Sequence, residues 1–168
     1  KGARLLGLPY PGGPHLAALA ERGDPKSFAF PRPMLQDQTY EFSFAGLKTS
    51  LLYLLKDDPQ LIKRKADLAA SYEAAIVDVL AAKTLRAARE FGAKTIFVAG
   101  GVAANQKLRR EMRERAKLLP TPPRVYAPEE NLSTDNAVMV ALAAAITTSR
   151  LPPNDSWLHL DADANLAL

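Results

Sequence analysis

The pattern of apolar and polar positions is clearest between Lys65 and Phe91. Leu68, Tyr72, Ile76, Val79, Leu80, Ala87 and Phe91 fall on one stripe of an α-helix. Gly92 follows and predicts the C-terminal cap. The next run, AKTIFVAGG, is β-branched or apolar at every position from Thr95 to Ala99, which predicts a strand covered on both faces. Leu108, Met112, Ala116 and Leu119 predict a second amphipathic helix. Arg124–Ala127 reads as another short strand, and STDNAVMVALAAAITTS as a helix rich in small residues. Helix, strand, helix, strand, helix in that order predicts an α/β domain whose sheet is at least partly parallel.

Upstream the pattern is broken by turn residues. KGARLLGL reads as the last turns of a helix closed by Gly7. PYPGGP packs three prolines and two glycines into six residues, which excludes helix and central strand. A short helix is expected over His15 to Arg22, then a loop over 23–38 with Pro25, Pro31 and Pro33. YEFSFAG alternates Tyr40, Phe42 and Phe44 with Glu41 and Ser43, a strand period that Gly46 ends before LKTSLLYLL continues as helix. The polar tail after Pro152 predicts a surface extension, so the expected division is a domain over 1–150 and an extension over 151–168. The abrupt start at Lys1 reads as the C-terminal part of a longer protein.

Composition narrows the class. A chain of 168 residues, 48% apolar and 24% charged, matches a soluble globular domain with a real core. No apolar run approaches the roughly 18 residues of a membrane-spanning helix. The absence of cysteine excludes disulfides, zinc-thiolate sites and a cysteine nucleophile, and suits a reducing, cytoplasmic setting. A net charge of +4 permits an anionic partner without requiring one.

Ligands of open α/β sheets gather beyond the C-terminal ends of the strands. AGGVAAN lies there. Gly100 and Gly101 let backbone approach a ligand, the helix that follows offers free N–H groups that favour phosphate, and Asn105 adds an amide early in that helix. The same residues also make a plain strand-to-helix turn, and they match neither a Walker A loop nor G-x-G-x-x-G. In NLSTDNA, Ser133 or Thr134 can cap a helix with Asp135 in its first turn; alternatively Asp135 is a metal-binding carboxylate at the mouth of the sheet. His15 and His159 are the only histidines and neither has a spaced partner, so this chain closes no histidine-rich metal site by itself. KLRREMRERAK carries a basic face that suits phosphates or simply water, Lys48 could face an anion, and Tyr72 and Phe91 read as core. No Ser-His-Asp set can be assembled.

Taken together, LLGLPYPGGP, FSFAGLKTS, AGGVAANQKLR and LSTDNAVMVA resemble, in order and spacing, the C-terminal half of the tRNA N6-adenosine threonylcarbamoyltransferase family, once called O-sialoglycoprotein endopeptidases. The resemblance runs from Arg4 to about Ser149. It implies an actin-like ATPase fold of two lobes around a nucleotide cleft. This chain is then most of the second lobe, a mixed sheet flanked by helices with a helical insertion near the N-terminus. It implies transfer of threonylcarbamoyl from threonylcarbamoyl-adenylate to N6 of adenosine 37, in tRNAs that read codons beginning with A. Gly13 resembles the family's substrate-contacting glycine, Asn105 its adenylate-contacting asparagine, and Asp135 the aspartate that completes a site for one divalent metal, iron or zinc. The H-x-x-x-H histidines of that site and a further substrate aspartate are absent from this chain, so it is expected to be inactive alone. The implied partners are tRNA, the adenylate or an adenine nucleotide, the first lobe, a homologous actin-like paralogue and a P-loop ATPase, with no membrane. The alternatives are a kinase or carbamoyltransferase on the same fold, a non-catalytic subunit, against which Asp135 argues, and the metallo-glycoprotease of the older name.

Overall fold

The computed structural model describes residues 1–129 and 132–147. In chain order these form α1 (Gly2–Leu5), α2 (Gly12–Ala20), α3 (Ala45–Asp57), α4 (Lys65–Glu90), β1 (Thr95–Phe97), α5 (Gln106–Lys117), β2 (Arg124–Tyr126) and α6 (Ala137–Thr147), with 3-10 turns at Pro59–Arg64 and Gly101–Ala104. The chain divides into two compact units, Lys1–Thr134 and Asp135–Leu168. The expected boundary at 150, the extension 151–168 and His159 lie outside the described residues.

Helix α4 is the spine of the first unit. Its 26 residues end where expected: the Ala93 N–H reaches the Ala88 carbonyl and the Gly92 N–H that of Arg89, with Gly92 at φ 62°. That is a Schellman closure, and its left-handed residue is one that glycine adopts without steric cost. Gly7 closes α1 in the same way.

Two apolar clusters share this helix. The first joins Leu68, Ala69, Ala70, Tyr72 and Ala75 to Leu6, Leu16, Phe30, Leu47 and Leu51 of the N-terminal elements. The second joins Val77, Ala81, Leu85 and Ala88 to Ile96 of β1 and to Leu108, Met112 and Ala116 of α5, the face predicted for that helix. Phe91 departs from the expected stripe: it is 74% exposed, past the end of the second cluster, with its ring tilted against that of Tyr40 at 5.4 Å between centroids.

The sheet is parallel, with Thr95, Ile96 and Phe97 opposite Arg124, Val125 and Tyr126. Only one of its faces is covered among the described residues. Ile96 is buried, whereas Phe97 is 77% exposed and stacks on Tyr126 at 5.5 Å. The expectation of a strand apolar on both sides and covered on both sides is corrected to that extent. Beyond this parallel pair, the described residues add no strand that would make the sheet mixed.

Three other expectations change. Helix α2 begins at Gly12, three residues earlier than expected, because Pro14 then falls in the first turn, where a missing N–H is harmless. Gly46 does not precede α3; it lies in its first turn. The strand expected over Tyr40–Phe44 is absent. Carbonyls in and just before this segment are met by side chains of α4 instead of a neighbouring strand: the Lys83 ammonium donates to the carbonyls of Met34 at 2.9 Å and Glu41 at 2.6 Å, and Arg86 donates to that of Thr39 at 2.6 Å. Arg32 adds a pair to Asp78, and the Tyr40 hydroxyl a bond to Glu90. Residues 31–44 therefore lie as a strap along α4.

Candidate functional site

Gly100, Gly101 and Asn105, singled out by sequence, come together where β1 ends. Gly100 follows the strand at φ 81° and ψ 175°, a conformation open to glycine and strained for other residues. Gly101 opens the 3-10 turn without positive φ, and a Cβ placed on it meets nothing within 4 Å. The N–H groups of Gly101 and Val102 stand at the start of this turn, where a helix offers no internal acceptor. The helix expected directly after the glycines is thus two pieces, a 3-10 turn and then α5. Residues flanking the glycine pair, Ala99 and Val102, line an apolar cleft of about 230 Å³ together with Leu80 and Thr84 of α4, Val98 and Met112.

Asn105 stands at the junction of the two pieces, as the N-cap of α5 rather than inside it. Its Oδ1 accepts from the Leu108 N–H at 2.8 Å, the bond that an N-cap makes to an orphan donor. Its Nδ2 donates to Oε1 of Glu73 on α4 at 2.6 Å. Glu73 is buried, 6% exposed, and its other oxygen lies 3.6 Å from the Lys107 ammonium, which offsets its charge. Reading the sequence had not found Glu73. The available signal was an acidic residue amid SYEAAIV, a stretch otherwise suited to packing.

Arg109 was also missed. Its guanidinium is buried and donates to the Ala103 carbonyl and, at 2.8 Å, to Ser133 Oγ, which in turn donates to the Glu129 carbonyl. Ser133 is thereby spent on a tertiary contact and does not cap α6. Asn136 does so instead, accepting from the Met139 N–H at 3.0 Å, which places Asp135 just outside the helix and not in its first turn.

The basic face of α5 is largely engaged within the protein. Arg115 bonds Asp78 and Glu111, Lys117 bonds Glu114, and Lys107 pairs with Glu73, leaving Arg110 and Arg113 as exposed cations of this helix. Lys48 is exposed on α3. Gly13 lies exposed in the first turn of α2, with the first cluster, whereas the glycine turn lies with the second. Among the described residues, no group of three or more His, Cys, Asp and Glu side chains comes together. No described helix is long and apolar enough to cross a membrane.

A family model described as tRNA N6-adenosine threonylcarbamoyltransferase matches residues 1–142. Curated proteins of that name are similar across most of the chain. One from Thermotoga neapolitana is 47% identical over all of this chain and 50% of its own length. One from Verminephrobacter eiseniae is 54% identical over 87% of this chain and 42% of its own. One from Moorella thermoacetica is 47% identical over 86% and 42%. The chain spans about half the length of the curated relatives it matches. The match takes in the helical N-terminal part, the glycine turn, Asn105 and Asp135 together, and on that breadth the chain belongs to the tRNA N6-adenosine threonylcarbamoyltransferase family.

Proposed function

We propose that this chain is the second lobe of an actin-like, cytoplasmic tRNA-modifying transferase. The reaction joins N6 of adenosine 37 to the carbamoyl carbon of threonylcarbamoyl-adenylate. A C–N bond forms, the C–O bond to the phosphate breaks, AMP leaves, and the N6 proton passes to solvent. Such a transfer needs two reactants held in line more than it needs a covalent protein intermediate.

The observation that carries this reading is the family match over residues 1–142, with the glycine turn at the C-terminal end of a parallel strand. The turn offers what an adenylate requires. Gly100 and Gly101 leave the backbone uncrowded, the cleft beside them is apolar and suits a purine face, and Asn105 supplies an amide at the start of α5. Gly13 is the proposed second contact to the adenylate, made from the N-terminal helices.

Asp135 is proposed as a single carboxylate ligand to a divalent metal whose remaining ligands come from outside this chain. Among the described residues, Asp135 is joined by no group of His, Cys, Asp or Glu that would complete the ligand set. tRNA, the first lobe, a homologous paralogue and a P-loop ATPase are the proposed partners, with tRNA approaching exposed cations such as Arg110 and Arg113.

The test is incubation of the full-length protein carrying this chain with its partner proteins, threonylcarbamoyl-adenylate and unmodified tRNA, followed by nucleoside mass spectrometry. Threonylcarbamoyladenosine is the expected product, and this chain alone yields none. A full set of proteins that forms no such nucleoside, or robust turnover by the chain alone, overturns the reading.

A further inference from the structure

The geometry points to Glu73 as a positioning residue for the adenylate: it sets the orientation of the Asn105 amide. The inference rests on the nucleotide site proposed above.

A side-chain amide rotates in a broad, nearly two-fold well about its last torsion, so nothing intrinsic decides which end is oxygen and which is nitrogen. At Asn105 both ends are specified by neighbours. The Leu108 N–H is a donor and takes the oxygen at 2.8 Å; the Glu73 carboxylate is an acceptor and takes one N–H at 2.6 Å. A flipped amide sets nitrogen against the Leu108 N–H and oxygen against the Glu73 carboxylate, two repulsive contacts in place of two bonds. The amide carries two N–H donors and Glu73 takes one of them. The second is left in a fixed direction, as a donor for an acceptor atom of the nucleotide.

Glu73 is well placed for this task. It is buried and carried by the continuous helix α4, so its reach is fixed by packing. Lys107, 22% exposed, lies 3.6 Å from its second oxygen and keeps the buried charge compensated. The positioning function depends on an acceptor at the right reach; the ion pair with Lys107 depends on charge. Two conservative substitutions separate these. Glu73→Gln keeps the reach and an acceptor oxygen but loses the charge. Glu73→Asp keeps the charge but withdraws the oxygen by one methylene.

The experiment measures binding of a non-hydrolysable threonylcarbamoyl-adenylate analogue to the full-length protein by calorimetry, with thermal melting of every variant and tRNA binding as a control. Asn105→Ala and Glu73→Asp are each expected to weaken analogue binding by about tenfold, the loss of one well-made hydrogen bond. Their combination is expected to be no weaker than Asn105→Ala alone, because both act through one group. Glu73→Gln is expected to stay within about threefold of the parent, and tRNA binding to be unchanged throughout. A Glu73→Asp protein that binds the analogue at least as tightly as Glu73→Gln overturns the positioning function while leaving the site standing. If Asn105→Ala binds the analogue like the parent, the site reading itself falls and the positioning function with it.

Discussion

Asp78 accepts hydrogen bonds from two arginines at once, Arg115 of α5 at 2.6 Å and Arg32 of the strap at 2.9 Å. One carboxylate on α4 thus ties together a loop and a helix that share no other ion pair among those described. Partial burial pushes the Asp78 carboxyl up, but the bonds and charges of Arg115 and Arg32 outweigh this and hold it below the ordinary carboxylate value.

A group whose carboxyl is depressed on folding adds stability above its unfolded value, near pH 4, and loses it as pH falls through the lower folded value. Asp78→Asn should therefore lower stability at neutral pH by about 1–2 kcal/mol, the scale of charge-assisted bonds in a half-buried setting. The gap between parent and variant should close below about pH 4. Urea melts at pH 7 and at pH 3 measure both; a gap that is the same at the two pH values refutes the assignment.

Lys83 is 1% exposed, and its ammonium is spent on two backbone carbonyls, those of Met34 and Glu41. Lys83→Met keeps the apolar stem and removes both bonds. The expected loss is about 2–3 kcal/mol, since two carbonyls and no carboxylate lose their donor. Amide exchange should quicken in residues 34–44 while α1 and α2 stay protected. Unchanged exchange in the strap would show that Lys83 does not hold it.

The two glycines of the turn should behave differently. Gly100 has the positive φ, so Gly100→Ala should destabilise by about 1 kcal/mol through backbone strain alone. Gly101 has ordinary φ and open space around it, so Gly101→Ala should leave melting within about 0.5 kcal/mol of the parent. Under the proposed function, Gly101→Val in the full-length protein should still weaken adenylate binding, because the branched side chain stands where ligand and backbone meet. Equal melting losses at both positions, or parental adenylate affinity of Gly101→Val, would count against this division.

Asp135 can be tested without interference from helix capping, because Asn136 is the cap of α6. Asp135→Ala should shift stability by less than about 0.5 kcal/mol, whereas loss of a true cap costs about 1 kcal/mol. In the full-length protein the same substitution should lower bound metal. Elemental analysis beside thermal melting decides it; full metal content in the variant removes Asp135 from the ligand set.

Much of this was legible because period and punctuation coincide. Leu68 to Ala87 announced α4, Gly92 closed it, and Leu108, Met112 and Ala116 announced the buried face of α5. Two of the misread elements, the strand at Tyr40–Phe44 and the cap at Ser133, share one cause: tertiary hydrogen bonds took over groups that local rules assign elsewhere. Tyr40 and Phe42 alternate like a strand, yet Lys83 and Arg86 claim the carbonyls around them. Ser133 has the chemistry of an N-cap, yet Arg109, 24 residues away in sequence, takes its hydroxyl. At the candidate site, the glycines and Asn105 stood out as residue types with a known use. Glu73 did not, because its importance lies in an atom it touches 32 residues away.

The sharing of α4 by two clusters sets the smallest piece of this protein that can be excised intact. At about 1.5 Å per residue the helix is roughly 39 Å long, with Leu68 to Ala75 serving one cluster and Val77 to Ala88 the other. A fragment cut to begin at Lys65 would keep the glycine turn and its packing but strip the cover from Leu68, Ala69 and Tyr72, exposing a greasy half-helix that recruits other copies. A fragment ending at Glu90 would bare Val77, Ala81 and Leu85 instead. For crystallisation or grafting, the glycine turn therefore travels only with everything from Gly2 onward, and the N-terminal helices, remote from it in sequence, are its solubility tag.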